Sequence, residues 1–155
     1  MSLIELRKQY GLTQKEAAQL IGIPYRTYIR YENNPSYFDT YKSKLLFLSL
    51  QEKLRIDEEH GLLSVETIKK ITLPILKSKG INYCYLFGSY AKGIARENSD
   101  VDLLIDTDLT GLKFFGLAEE LRTALHKKID LLRLKDIESN NPIALEILRD
   151  GIKLL

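Results

Sequence analysis

Cysteine is almost absent from the 155-residue chain: Cys84 stands alone, so no internal disulfide framework can hold the fold. Its place in an apolar run makes it a core thiol. No apolar stretch approaches the roughly 18 residues that a membrane-spanning helix needs. The N-terminus lacks the basic flank and apolar run of a secretory signal, so the cytoplasm is the expected compartment. Charge is nearly balanced at +2, which means that any affinity for nucleic acid has to come from local arrangement and not from bulk charge. Internal repeats and low-complexity tracts are also missing. What is present, 45% apolar and 28% charged residues, is the make-up of a folded globular protein. The length allows one domain or two small ones.

Helix starts are marked by capping chemistry. Ser2-x-x-Glu5 and Thr13-x-x-Glu16 each place a hydroxyl three residues before a Glu, the pattern in which two orphan amides are satisfied reciprocally. Gly11 and Gly22 stop these runs, Pro24 suits the first turn of a third helix, and Asn33-Asn34-Pro35 ends it. A fourth helical pattern runs from Phe38 to Glu59, with Tyr41, Leu45, Leu48 and Leu54 offered as its inward face. After Gly61 the character changes. Ser64 caps a helix carrying Ile68, Ile71 and Ile75, Pro74 is placed to kink it, and Gly80 follows its end. Tyr83 to Phe87, Val101 to Ile105 and Ile129 to Arg133 read as strands. Leu117, Leu121 and Leu125 recur at helical spacing, and Asn141-Pro142 opens a last helix that Gly151 stops. Interleaved helices and strands indicate an α/β unit after an all-helical one.

In the first unit, a Gly-containing turn between the second and third helices is what a helix-turn-helix requires. The segments Leu12 to Ala18 and Gly22 to Glu32 resemble the Xre/Cro-type helix-turn-helix family over roughly the first 35 residues. That resemblance makes Ala17, Ile23, Tyr28 and Tyr31 core positions, exposes Tyr25, Arg26 and Arg30 on the recognition helix, and sets Gln14 near a DNA phosphate. Arg suits base reading because its planar fork can pair with guanine O6 and N7. The family usually carries a small hydroxyl residue where Pro24 stands, and it usually continues for more helices. Docking of a partner protein is the competing use of this face. Helical spacing of Tyr25, Tyr28, Tyr31, Tyr37 and Tyr41 favours packing over base stacking.

The chemistry concentrates in Leu86 to Gly93 and Asn98 to Ile105. Gly88 lets backbone approach an anion, and Ser89 offers hydroxyl and amide to a phosphate at a helix start. Lys92 and Arg96 bring positive charge, and Ser99 joins them in the candidate nucleotide-binding set. Asp100 and Asp102, two apart at a strand, project from one face while Val101 and Leu103 pack on the other. Hard carboxylate oxygens at this spacing suit divalent metal. Asp130 interrupts an apolar strand where an unpaired charge would be costly, which makes it the third carboxylate and the candidate base. Asp106 and Asp108 read as surface charge, and His126, beside Lys127 and Lys128, as a helix end facing solvent.

Gly88-Ser89 followed by Asp100-x-Asp102 resembles the signature of the minimal nucleotidyltransferases of the polymerase-beta-like superfamily, over about residues 62 to 155. The resemblance implies an α+β architecture: an all-α helix-turn-helix unit with its linker helix at residues 1–60, then a nucleotidyltransferase domain with a small mixed sheet at 61–155. It further implies Mg²⁺, two ions by the expectation, ATP as donor, and transfer of AMP to a hydroxyl. This minimal family is associated with toxin-antitoxin modules in which the transferase modifies a tyrosine of a helical HEPN-type toxin. A helix-turn-helix would then serve autoregulation at operator DNA. Only about 25 residues follow Asp130, little chain to enclose an antibiotic-like acceptor. A non-catalytic DNA-binding regulator, and transfer to an antibiotic or an RNA end, are the rival readings; self-association is left open.

Overall fold

The computed structural model describes residues 1–139 and 141–155. The chain divides into two compact units, Met1–Arg55 and Ile56–Leu155. The division falls before the expected 60/61 boundary because Ile56 packs against the core of the second unit.

The first unit is helical: α1 (Leu3–Gln9), α2 (Gln14–Leu20), α3 (Tyr25–Asn33), a short 3-10 turn (Pro35–Tyr37) and α4 (Tyr41–Lys53). Both expected capping boxes are formed, Ser2 with Glu5 and Thr13 with Glu16. Pro24 lies one position earlier than a first-turn residue, at the N-cap of α3, where its fixed φ of −58° and lack of an N–H cost nothing. Leu3, Leu6, Ala17, Ala18, Tyr28 and Leu50 form the core, with Ile23 and Tyr31 partly buried against it. The expected inward face of α4 is wrong in part. Tyr41, Leu45 and Leu48 are exposed, while Ser43 and Leu50 are buried with Leu46, Phe47 and Leu54 beside them. Apolar residues surround this helix, so periodicity could not select the face. The helix also stops at Lys53, and Asp57 closes a separate turn by accepting the N–H groups of Glu59 and His60.

The second unit orders α5 (Val65–Ser78), β1 (Cys84–Phe87), α6 (Gly88–Ala91), β2 (Val101–Ile105), α7 (Gly111–Leu125), β3 (Ile129–Arg133), α8 (Pro142–Asp150) and β4 (Ile152–Lys153). Its mixed sheet runs β3-β2-β1-β4, with β2 parallel to β3 and β1 antiparallel to both β2 and β4. Strand alternation then sorts the two faces. Cys84, Leu86, Val101, Leu103, Ile105 and Leu131 join Ile68 and Leu76 of α5 and Leu117, Leu121 and Leu125 of α7. Phe87 and Leu104 instead meet Ile147 of α8, with Tyr85, Leu132 and Ile143 around them. α5 runs through Pro74 to Ser78. The two-residue β4 was not foreseen; it pairs Ile152 and Lys153 with Leu86 and Tyr85.

Candidate active site

Asp102 shares the α8-facing side of the sheet with Leu104, and the parallel register sets Asp130 directly beside it. On the other side Phe87, the last residue of β1, is its antiparallel partner. The chain then turns through Gly88 at φ +68°, a conformation that L side chains rarely adopt. A Cβ there would stand 2.0 Å from Asp102 Oδ2. Glycine is therefore required twice over, by its backbone and by the carboxylate lying against it. Ser89 follows in α6, which is a single turn of four residues. A summed helix dipole was expected at Ser89; a helix this short offers local amides and little macrodipole.

The loop from α6 to β2 delivers Asp100. Ile94 donates to the Ser89 carbonyl at 3.0 Å, Arg96 N–H to Ser99 Oγ at 2.8 Å, and Ser99 N–H to the Arg96 carbonyl at 3.0 Å. The Ser99 hydroxyl is thus engaged in shaping the loop, and Arg96 is exposed on it. Asp100 lies just outside the strand and is exposed; Asp102 is half-buried. Burial pushes the Asp102 carboxyl up to about 6, with Asp130, Asp100 and Glu146 adding to the rise and Lys92 opposing it. Lys92 is itself held by Glu146 of α8 at 2.6 Å. Glu146 was missed from sequence because an exposed-looking Glu on an amphipathic helix carries no sign of its distant partner.

Carboxylates gathered beside a half-buried Asp102, whose charge they disfavour, are a donor set suited to a hard divalent cation. Asp100, Asp102 and Asp130 fit that chemistry, although no three His, Cys, Asp or Glu side chains among the described residues already converge on one ion. An open cleft of about 770 Å³ borders Asp100 and Asp130 but is not lined by Asp102; Ile129 and Phe115, Ala118 and Arg122 of α7 also line it.

Residues 66–155 match the polymerase beta nucleotidyltransferase family model. The chain belongs to that family. Residues 3–40 of this nucleotidyltransferase match a helix-turn-helix family. A putative protein adenylyltransferase of Methanocaldococcus jannaschii is 33% identical over 82 residues, covering 48% of this chain and 83% of its own length. The protein adenylyltransferase MntA of Thermococcus cleftensis is 37% identical over 75 residues, covering 47% and 74%. Among solved structures, a toxin-antitoxin crystal structure with AMP-PNP matches with a TM-score of 0.51 and 25% identity, covering 56% of this chain and 72% of that one.

In the N-terminal unit of the nucleotidyltransferase, Tyr25, Arg26 and Arg30 are exposed on α3 as expected. Gln14 is drawn inward, its amide donating to Glu32 Oε1 at 3.3 Å and Asn33 Oδ1 at 3.4 Å. Tyr28 is buried and Tyr31 packs on Tyr37 with ring centroids 5.1 Å apart, but Tyr25 and Tyr41 are exposed. Of the residues set aside, Cys84 is buried, Asp106 and Asp108 are exposed, and Asp108 meets Lys135 at 3.2 Å. No helix of the described residues is long and apolar enough to cross a membrane.

Proposed function

We propose that this chain is an antitoxin that transfers AMP from ATP to a protein hydroxyl, a tyrosine of a HEPN-type toxin, in the cytoplasm. The observation that carries the reading is Asp102 lying against Gly88, in register with Asp130 and coupled electrostatically to Asp100. The adenylyltransferase names of the relatives and the AMP-PNP in the toxin-antitoxin structure support adenylate as the group moved.

Asp100, Asp102 and Asp130 would hold Mg²⁺, two ions in our reading, which when bound neutralises phosphate charge and stabilises the entering and leaving oxygens. Gly88 and Ser89 receive the phosphates through backbone and hydroxyl. Lys92 supplies positive charge from a position fixed by Glu146. Asp130 accepts the acceptor's proton. The acceptor oxygen bonds to the α-phosphorus, the α–β bridging P–O bond breaks, and pyrophosphate leaves. The cleft beside Asp100 and Asp130 is open, so a partner can bring its own hydroxyl into it. Docking raises the effective concentration of that nucleophile, and the AMP it receives adds negative charge and bulk that would block a basic RNA-cleaving site.

The helix-turn-helix unit binds operator DNA through Arg26 and Arg30, with Tyr25 on the same exposed face, and thereby couples production of the pair to its own level. Gln14, held by Glu32 and Asn33, presents α2 to the backbone more than it reaches for a phosphate itself. Labelled ATP and Mg²⁺ with the candidate toxin, an aminoglycoside and an RNA 3′ end as competing acceptors test the assignment. Label on the toxin supports it; label on the antibiotic or RNA keeps the transferase and removes the protein acceptor.

A further inference from the structure

Lys127 is 0% exposed, the only buried lysine among the described residues. A buried ammonium is costly unless hydrogen-bonded. This one donates to the His60 carbonyl at 2.9 Å and to the Glu97 carbonyl. The second bond joins two places that matter. Glu97 lies in the loop between α6 and β2 whose next turn delivers Asp100, and Lys127 stands three residues before Asp130 at the entry to β3. The other bonds given above for that loop are local, within Ser89 to Ser99. Where the loop ends, Val101 N–H donates to the Lys128 carbonyl at 2.9 Å, so β2 and β3 begin beside the same tether.

We propose that Lys127 is a positioning residue: its bond to the Glu97 carbonyl holds the Asp100 loop against the start of β3, so that Asp100 and Asp130 can serve one cation together. The inference rests on the carboxylate reading above and deepens it. Lys127 acts by geometry, since the charges that move Asp102 are those of Asp130, Asp100, Glu146 and Lys92. Partners that orient metal ligands typically alter affinity by about 10–100-fold when removed. A flat protein surface would leave an ammonium in water, whereas here it is placed under the loop with two backbone acceptors.

The test uses the full chain and Mn²⁺ as a paramagnetic probe. Lys127→Met keeps the stem and removes the donors; Lys127→Arg keeps donors; Asp102→Ala marks the site itself. With folding checked by circular dichroism, Lys127→Met should weaken Mn²⁺ binding by on the order of 10–100-fold and Lys127→Arg should recover part of the loss. Folded Lys127→Met with wild-type Mn²⁺ affinity would overturn the proposal. Amide hydrogen exchange on the metal-free wild type gives a second readout should the variant not fold. Arg96 and Ser99 should exchange as slowly as the β2 amides; fast exchange at both against a protected β2 also overturns it. Wild type without an Asp102-dependent Mn²⁺ site defeats the metal reading instead, and the exchange result still judges the tether.

Discussion

Replacing Asp102 with Asn should make the metal-free protein more stable at neutral pH while removing its chemistry. The carboxyl titrates near 6 in the folded state against an ordinary value of 3.8, because burial, Asp130, Asp100 and Glu146 all disfavour its charge. A raised carboxyl pKa means that the folded state binds the proton more tightly than the unfolded chain. The penalty is therefore absent below pH 3.8, grows between 3.8 and about 6, and is complete above 6. Two units at 1.36 kcal/mol each set a ceiling of about 3 kcal/mol. Solvent access to a half-buried group reduces this to roughly 1–2 kcal/mol. Asn carries no charge at any pH, so Asp102→Asn should match wild type in urea unfolding at pH 3.5 and exceed it by roughly 1–2 kcal/mol at pH 7.5 in chelator. Mg²⁺ should then narrow the gap by stabilising wild type alone. An advantage of the same size at both pH values would refute the electrostatic reasoning.

Gly88→Ala places a methyl on Asp102 Oδ2 and a side chain at φ +68°; transfer activity should fall more than ~100-fold while stability drops by only about 1–2 kcal/mol, compared by activity assay and urea titration. Glu146→Gln releases Lys92 and removes one carboxylate beside Asp102, so the Asp102 pKa read by NMR titration should fall below 6; an unchanged value would remove Glu146 from the site. In the N-terminal unit, Glu32 is 2% exposed and pairs with Arg7 at 2.7 Å. Glu32→Ala strands that guanidinium and should cost about 3 kcal/mol by the loss of amide-exchange protection in residues 1–55; a loss under about 1 kcal/mol would show the pair to be incidental. Arg30→Ala should weaken operator binding by about 1–3 kcal/mol and relax base preference, with binding in wild type falling steeply as salt rises.

Local chemistry makes much of this protein legible from its sequence alone. Ser2, Thr13, Ser64 and Asn141 announce helix starts because a side chain that caps an amide acts within three residues of itself. Asp130 stood out because burying an unpaired charge in an apolar strand would be costly; its side chain is in fact exposed, so that cost does not arise, and what ties it to the site is its register with Asp102. What could not be read depends on partners far along the chain. Lys127 looked like one of two solvated lysines at a helix end, yet its acceptors are 67 and 30 residues away. The Glu32–Arg7 pair spans 25 residues, and Glu146 meets Lys92 only because α8 returns over the sheet. β4 is two residues long, too short for any alternation to register. The face of α4 was misread since Leu45, Leu46, Phe47 and Leu48 are consecutive and only packing decides which of them turn inward.

The central claim is that the carboxylates around Asp102 move AMP onto a protein partner. Its most direct measurement is intact-mass spectrometry of the helical toxin co-expressed with this chain. Wild type should leave the toxin heavier by one or more AMP units, mapped to tyrosine, and Asp102→Ala should leave it unmodified while still folding. An unmodified toxin beside active wild type, or AMP that persists in the Asp102→Ala pair, would contradict the account.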